Sequence, residues 1–306
     1  MEDSILSLEK LRKKAATLLI IIVTISIAAT LIFLFVFSAL GMERMGTYLS
    51  VLLGAGIGYL LSVVTGFFHI SEEYKARFKA TFVEIPLRNT FSQVIYYADQ
   101  GIEEDVIKET GIMSLGNRYT SNDYVRGYYK DVKFERADVK IQQHYNTGKS
   151  SYTVTYLHGR WLIFEFNKNF HFDLQIIGNE FPHSLKKNSI FTESEERRHR
   201  IQLEDIEFHE MFDVLCQNEH EAYYILTPQF MSVLKDINST MDGSIMLGFI
   251  DNKLHVAIHN EKDSMEPRIF NSINLSAVKE EVQQEINVIL NIIDGLNLDR
   301  DIYENR

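Results

Sequence analysis

Residues 15–40 read AATLLIIIVTISIAATLIFLFVFSAL and residues 45–68 read MGTYLSVLLGAGIGYLLSVVTGFF, two apolar runs without a charged side chain. About 20 consecutive apolar residues are enough to cross the hydrocarbon core of a bilayer as an α-helix. Just four residues separate the runs: Gly41, Met42, Glu43 and Arg44. The sequence therefore predicts a transmembrane helical hairpin over residues 15–68, with all that follows it on one side of a membrane.

Positively charged side chains gather at the outer flanks of the hairpin. Four precede the first run, one lies in the turn and four follow the second run: Lys10, Arg12, Lys13 and Lys14, then Arg44, then Lys75, Arg77, Lys79 and Arg88. Cytoplasmic flanks of membrane spans carry such an excess of Lys and Arg. We therefore expect a multi-pass protein with both termini in the cytoplasm. A cleaved signal peptide would have a shorter apolar stretch, about 7–15 residues, and no second span directly after it.

Small residues recur at every fourth position of the second run: Ser50, Gly54, Gly58, Ser62 and Gly66. On a helix this spacing makes a ridge along one face, where another helix can approach closely. The approaching helix is either the first span of the same chain or the hairpin of a second chain, so self-association through the hairpin is one expectation. Transport by the hairpin alone is not expected, because a transport pathway needs polar groups at depth.

The remaining residues, 69–306, are acidic. They include 26 Lys and Arg against 38 Asp and Glu, a net charge of −12. Such a surface repels phosphate backbones, so we expect no nucleic-acid partner. The apolar hairpin leads us to expect the lipid bilayer as a partner, together with a protein partner or self-association.

The chain has one cysteine, Cys216, and hence no intramolecular disulfide. This cysteine stands in an apolar predicted strand, where we expect a buried, inert thiol.

Residues 69–180 are predicted to form a neck helix and a first sheet-containing half. Aromatic side chains at helical spacing indicate the neck, and alternating apolar and polar residues indicate strands. The predicted elements are a helix over Ser71–Tyr97 interrupted at Pro86, a helix over Glu103–Thr110 stopped by Gly111, and three or four antiparallel strands between Asp123 and Gln175, with turns at Asn146–Gly148 and His158–Gly159.

Residues 181–306 are predicted to form a second α+β half, entered through a charged seam over Phe181–Arg200. Thr227 followed by Pro228 is typical of a helix start. The predicted elements are strands over Leu203–Phe208 and Phe212–Cys216, a helix from Thr227 to Ile237, a hairpin of strands Ser244–Phe249 and Lys253–Ile258, and an amphipathic helix over Ala277–Leu296.

The predicted fold class is therefore α+β: a two-helix transmembrane hairpin followed by a cytosolic domain of antiparallel sheets with flanking helices. Four segments follow from this interpretation. They are a cytosolic basic N-terminus at 1–14, the hairpin at 15–68, the neck helix and first half at 69–180, and the second half at 181–306.

One polar cluster is a candidate for contact with a ligand or a partner. It consists of Arg118, Tyr119, Asp123, Tyr124 and Arg126, next to Asn117. Arg118 could bind a carboxylate or phosphate in bidentate fashion, with the tyrosines as walls. The alternative is structural: an ion pair between Arg118 and Asp123 that holds the loop leading into the sheet.

Motifs of known catalytic chemistry are absent from the sequence. It contains no phosphate-binding glycine loop, no H-E-x-x-H and no G-x-S-x-G. His255 and His259 would lie on one face of a strand, roughly 13 Å apart and too far to share a metal ion. We interpret them as surface histidines, Trp161 as a core aromatic, and Glu193, Glu195 and Glu196 as a solvated face. We expect no catalytic residue, no metal site and no cofactor.

Ordered sequence pieces resemble a bacterial family of membrane-anchored proteins known as domain of unknown function 3137. The pieces are Tyr74–Lys79, Asn117–Tyr119, Asp123–Gly127, Gly159–Lys168, Leu203–Phe212, Glu221–Pro228 and Met265–Pro267. The resemblance implies a paired N-terminal span in the bacterial cell (inner) membrane. It implies no activity and no catalytic residue. Met265 stands where the family leads us to expect an aromatic residue.

Three functions remain open from the sequence. The first is a membrane-anchored, non-enzymatic interaction or assembly module. The second is a ligand-responsive membrane sensor or effector whose hairpins cluster. The third is an enzyme whose site is assembled from residues distant in sequence, since histidines and carboxylates are plentiful.

Overall fold

A computed structural model of the chain describes residues 2–148, 150–165, 173–182 and 198–299, apart from the side chains of residues 2–4 and 43. The chain divides into two compact units. The helical unit comprises residues 1–83 and 266–279, and the sheet unit comprises residues 84–265 and 280–306. The sheet unit thus draws on both of the predicted halves.

The helical unit begins with three helices, α1 (Glu2–Ala39), α2 (Glu43–Val64) and α3 (Phe67–Lys79). The first two contain the apolar segments Ile5–Ala39 and Arg44–Val64, each long and apolar enough to cross a membrane. Their large side chains are widely exposed. A hairpin with apolar outer faces is therefore confirmed.

The neck is a helix only up to Thr90. After α3 the chain forms a π-helical turn, Ala80–Glu84, and then α4 (Ile85–Thr90). Pro86 has no N–H for an α-helical bond and its ring crowds the preceding turn, which explains the wider turn at this point. The predicted helix is wrong beyond Thr90, because Ser92–Tyr97 forms strand β1. Its Val94-Ile95-Tyr96 core consists of β-branched and aromatic residues, which favour a strand.

In the described residues, nine strands form one antiparallel sheet in the order β1-β2-β3-β4-β9-β8-β5-β7-β6. The α+β class is thereby confirmed, with one sheet instead of one in each half. The strands after β1 are β2 (Arg118–Tyr129), β3 (Val132–Asn146), β4 (Ser151–Glu165), β5 (Leu174–Gly178), β6 (His199–Ile201), β7 (Phe212–Cys216), β8 (Ser244–Ile250) and β9 (Lys253–His259).

Helices flank this sheet. They are α5 (Glu104–Thr110), α6 (Ile206–Met211), α7 (Glu219–Ile225), α8 (Pro228–Thr240) and α9 (Leu275–Gly295). The predicted starts and stops are confirmed at two caps: Gly111 is left-handed with φ 58°, and the Thr227 side chain accepts a hydrogen bond from Phe230 N at 3.2 Å.

Two local predictions are wrong. His158–Gly159 is no turn, because β4 continues through it and Gly159 pairs with Val139 and His259 on either side. A Cβ at residue 159 would collide with the carbonyl oxygen of Ile258. The close approach of β4 and β9 at this point therefore requires glycine. The predicted strand over Leu203–Phe208 is not formed: its second half begins α6. Asp205 caps this helix, its side chain accepting a hydrogen bond from Phe208 N at 2.9 Å.

Successive side chains of the central strands point to opposite faces of the sheet, and both faces are buried. Ala137 of β3 and Trp161 of β4 point into a core cluster that also contains Ile107 of α5. Arg136 and Arg160 point to the opposite face, where both contact Glu285 of α9. Both faces of the sheet are therefore covered, which explains the apolar runs in β4, β8 and β9.

Candidate functional site

The ridge of small residues in α2 lies against α1 of the same chain. Ser50, Gly54, Gly58 and Ser62 are buried. A Cβ at Gly54 would collide with Thr30 Oγ1, and one at Gly58 would collide with Ser26 Oγ. The two helices approach so closely because these positions lack side-chain bulk.

Gly56 and Gly66 do not take part in this packing. Gly56 lies on the exposed side of α2, and a Cβ there would meet no atom within 4 Å. Gly66 lies beyond the end of α2, in a left-handed conformation with φ 66° before α3 begins. The structure thus places the first four predicted packing residues on one face of α2 and Gly66 at a bend that favours glycine.

Within the helical unit, the N-terminal part of α1 packs on the neck and on residues 266–279, which we call the strap. Leu8 joins a buried cluster with Tyr74, Phe78 and Phe82. Arg12 donates to the Ile269 carbonyl at 2.7 Å and pairs with Glu9 at 2.6 Å. One flanking cation is therefore buried, whereas Lys10, Lys13 and Lys14 are exposed next to the apolar span.

The predicted polar cluster is distributed along β2. Arg118 is exposed at the start of the strand, and Asp123 is buried in a β-bulge with φ 54°. Five residues of strand separate them by roughly 16 Å, too far for an ion pair. Asp123 instead accepts hydrogen bonds from the Tyr96 hydroxyl and from Asn122 Nδ2.

The tyrosines of that cluster are part of the packing of the hydrophobic core. Tyr119 and Tyr124 both pack against the core cluster, and the Tyr119 hydroxyl donates to the Ile102 carbonyl at 2.5 Å. Burial raises the pKa of Tyr119 to about 12, and burial together with nearby Glu135 raises that of Tyr124. Arg126 is half-buried in register with Glu135. Arg118 therefore has no tyrosine walls for a ligand.

A buried charge cluster lies on the other face of the sheet, between its central strands and α9. It consists of Arg136, Asp138, Arg160, Glu285 and Ser264, whose side chains the sequence alone did not connect. Arg136 Nη2 lies 2.7 Å from Asp138 Oδ1 and 2.9 Å from Glu285 Oε2. Arg160 Nη1 lies 2.7 Å from Glu285 Oε1. Ser264 Oγ donates to Asp138 Oδ1 at 2.9 Å.

Strand register assembles this cluster. Arg136 and Asp138 are two apart on β3 and share a face, and Arg160 of β4 is the cross-strand partner of Asp138. The four charged side chains are 1–7% exposed. The cluster can hold charges and a proton but has no open face for a substrate.

The pKa of Asp138 is raised to about 8. Burial is the largest cause, and the Arg136 guanidinium opposes it only in part, while Glu285 and Asp123 add repulsion. In addition, Asp138 Oδ2 and Arg160 Nε are buried without a hydrogen-bond partner among the described residues. A buried ionised carboxylate with an unsatisfied oxygen is costly, so Asp138 retains its proton at neutral pH.

The free energy of unfolding of the sheet unit is therefore expected to fall as the pH rises from about 4 to about 8. An unfolded aspartate releases its proton near pH ~4, whereas folded Asp138 retains it to about 8. The folded state binds more protons in this window, so raising the pH destabilises it. Denaturant titrations of wild type and Asp138→Asn at several pH values measure this slope. If Asp138→Asn kept the wild-type slope, another group would be responsible.

His255 is buried, contrary to the prediction of a surface histidine. Its Nδ1 accepts a hydrogen bond from Trp161 Nε1 at 3.2 Å, and burial lowers its pKa to about 4. The imidazole is thus neutral at physiological pH and accepts the hydrogen bond of the indole N–H of Trp161, the predicted core aromatic. His259 is half-buried, and its Nδ1 accepts from His158 N at 3.1 Å.

Cys216 is buried at the end of β7, and burial raises the pKa of its thiol to about 11. Because the thiolate is the nucleophile, we expect negligible labelling of the folded chain by a maleimide at pH ~7 and full labelling after denaturation. Mass spectrometry of both samples measures this. Rapid labelling of the native chain would mean that β7 opens readily.

A cavity of about 580 Å³ lies where β5 ends and β8 begins. Its lining is polar with two methionines: Gly178, Asn179, Glu180, Glu210, Met211, Asn238, Met241, Gly243, Ser244 and His259. The volume falls in the range of small-molecule sites, about 300–1,000 Å³. Two carboxylates favour a neutral or cationic molecule over an anion. The predicted acidic face Glu193, Glu195 and Glu196 lies outside the described residues.

Comparisons with known proteins agree with the resemblance seen in the sequence. Residues 155–298 match a family model described as "Protein of unknown function (DUF3137)". No curated protein matches the chain. Among solved structures, the crystal structure of the mycobacterial trehalose monomycolate transport factor A, TtfA, is similar at 8% identity and a TM-score of 0.38, covering 67% of this chain and 88% of that chain. Over residues 155–298, the chain is thus similar to the DUF3137 family of proteins of unknown function.

Proposed function

We propose that this chain is a non-enzymatic assembly module, anchored in a bacterial inner membrane by the α1–α2 hairpin, with both termini and the α+β domain in the cytoplasm. The observation that carries the proposal is the outer surface of the hairpin. Phe35 is 77% exposed, Leu52 68% and Val64 72%, although water disfavours such side chains. A bilayer would cover these apolar faces.

The arrangement of charge supports this orientation. Exposed Lys10, Lys13 and Lys14 precede the apolar segment, and the only cation in the turn is Arg44. In the sheet unit, Asp138, whose pKa is raised to about 8, is enclosed in the buried charge cluster, which suits a structural role better than turnover of a substrate. A domain held at a membrane with an extended sheet suits protein assembly.

Membrane fractionation with alkaline extraction tests the anchor, and a C-terminal reporter tests its orientation. We expect the chain to remain in the membrane pellet, with the reporter active only on the cytoplasmic side. Crosslinking in intact membranes should recover a reproducible protein partner or a second copy. A chain found in the soluble fraction, a reporter active only outside, or a solitary monomer in membranes would overturn the proposal.

A second candidate function, a ligand-responsive membrane sensor or effector, is favoured by the 580 Å³ cavity. A small molecule bound there would stabilise the sheet unit by mass action. We expect such a ligand, found in a metabolite screen, to raise the melting temperature and to change the oligomeric state or membrane permeability. Unchanged values across the screen would remove this candidate.

A further inference from the structure

The β3–β4 hairpin extends beyond its neighbours in the sheet. β4 pairs with β3 from Ser151 to Glu165, but with β9 only from Gly159 onwards. At His158 the carbonyl oxygen accepts from the N–H groups of Asn260 and Glu261, which marks the end of this coverage. In the part of the chain that the structure describes, no strand pairs with the outer edge of β4 from Ser151 to Thr155.

The opposite edge of the same hairpin is protected. Pairing of β2 with β3 ends at Arg118 and Gln142, and Asn117 continues it with its own groups. Asn117 N donates to the Gln142 carbonyl at 3.1 Å, and its side chain both accepts from His144 N at 2.7 Å and donates to the His144 carbonyl at 2.9 Å. Asn117 thus forms the hydrogen bonds to the backbone of β3 at the point where the pairing with β2 ends.

The β4 edge lacks the residues that normally discourage pairing. Residues 150–157 read SSYTVTYL, with no charge, proline or glycine, in a chain with a net charge of −11. Natural edges usually have lysine, proline or a bulge to block association. Here the bulge comes only at Tyr156, between the pairs Gln142–Thr155 and Ile141–Leu157. Residues 151–155 therefore remain regular and rich in strand-forming side chains.

The edge sequence is its own complement. Tyr152-Thr153-Val154-Thr155-Tyr156 reads the same in both directions. In an antiparallel pair with a two-fold axis at Val154, each Val154 faces the other, and Thr153 faces Thr155 of the second copy. Tyr156, which would face Tyr152, is the buried residue of the bulge, so the regular pairs are those of valine and threonine. Threonine pairs of this kind stabilise antiparallel strands, and a two-fold interface uses the same patch on both chains.

We propose that the β4 edge pairs with the β4 edge of a second copy of this chain, antiparallel about an axis at Val154. The occupant is a second copy because the sequence complements itself and no like charges face each other. Tyr152 is 54% exposed and stacks on Tyr145 with ring centroids 4.9 Å apart, which supplies apolar surface beside the edge. This inference deepens the proposed assembly role and rests on it for its setting.

Two charge variants of the full-length chain in detergent test the register. In Thr153→Lys/Thr155→Lys, each lysine faces a lysine of the second copy, whereas in Thr153→Glu/Thr155→Lys each faces an opposite charge. We expect wild type to sediment as a dimer and the double-lysine variant to dissociate at least about tenfold more readily. The Glu/Lys variant, which loses the same threonine contacts, should remain close to wild type. A monomeric wild type, or equal effects of both variants, would overturn the inference.

A cysteine crosslink checks the axis independently. In a Cys216→Ala background, Val154→Cys should form an intermolecular disulfide on mild oxidation. Thr147→Cys, exposed at the tip of the same hairpin, should not. Absence of the Val154 crosslink while membrane partners are still recovered would refute only this inference. A Val154 crosslink in a chain that fractionates as soluble would refute only the membrane proposal.

Discussion

Replacing Glu285 by alanine is expected to lower the free energy of unfolding of the sheet unit by about 3–5 kcal/mol. Glu285 is the shared acceptor for two buried guanidinium groups, at 2.9 Å from Arg136 and 2.7 Å from Arg160. Its removal leaves Arg160 without its ion-pair partner in the cluster and Arg136 with Asp138 alone, a residue that favours its protonated form. An uncompensated buried charge costs more than the intact pair contributes.

The fluorescence of Trp161, the one tryptophan of the chain, reports unfolding of this unit because its side chain is buried beside the central strands. Denaturant titration of the solubilised chain gives the change. Glu280→Ala, an exposed glutamate on the same helix, is the matched control and should change stability by no more than about 0.5 kcal/mol. A decrease in the free energy of unfolding of less than ~1 kcal/mol for Glu285→Ala would contradict the prediction. It would mean that water molecules hydrogen-bond to Arg136 and Arg160 in place of Glu285.

Replacing Gly54 by leucine is expected to separate α1 from α2. Any Cβ at this position collides with Thr30 Oγ1, so the helices must move apart or slide. Gly56→Leu adds the same side chain two positions away, where a Cβ meets nothing within 4 Å. Close approach is what stabilises helix pairs in lipid, so the Gly54 variant should lose this packing and the Gly56 variant should retain it.

A cysteine pair measures the separation. A Cβ at residue 58 lies 3.4 Å from Ser26 Cβ, near the range of disulfides, about 3.5–4.5 Å. Ser26→Cys/Gly58→Cys in a Cys216→Ala background should therefore crosslink within one chain. Adding Gly54→Leu should reduce the crosslinked fraction severalfold, whereas adding Gly56→Leu should leave it unchanged. A crosslink between two chains would instead support self-association through the hairpin.

Local patterns accounted for much of the fold. The hairpin of α1 and α2 follows from apolar length, and β8 and β9 follow from the predicted strands Ser244–Phe249 and Lys253–Ile258. Two elements were misread because short segments are ambiguous. Helical spacing of aromatic residues along the neck hid β1, and the apolar residues of 203–208 hid α6, although Asp205 three residues before Phe208 was a capping signal.

The buried charge cluster was beyond local patterns. Lys133, Glu135 and Lys140 of β3 are polar as well, so nothing in the local sequence marked Arg136 and Asp138 as buried. Arg160 and Glu285 become their neighbours only through strand register and the docking of α9. Likewise, Asn117 was expected near a ligand because of its polar neighbours, whereas its side chain binds the backbone of β3.

The central pairing of β4 with β9 has a consequence for biosynthesis. Residues paired there are far apart in the chain, from Glu165 with Lys253 to Gly159 with His259. While the ribosome is still making the second half, the edge of β4 that will pair with β9 is open, and the apolar hairpin has already emerged. Contacts of such long sequence separation form slowly. Nascent chains are therefore expected to need protection of this edge until β9 is released.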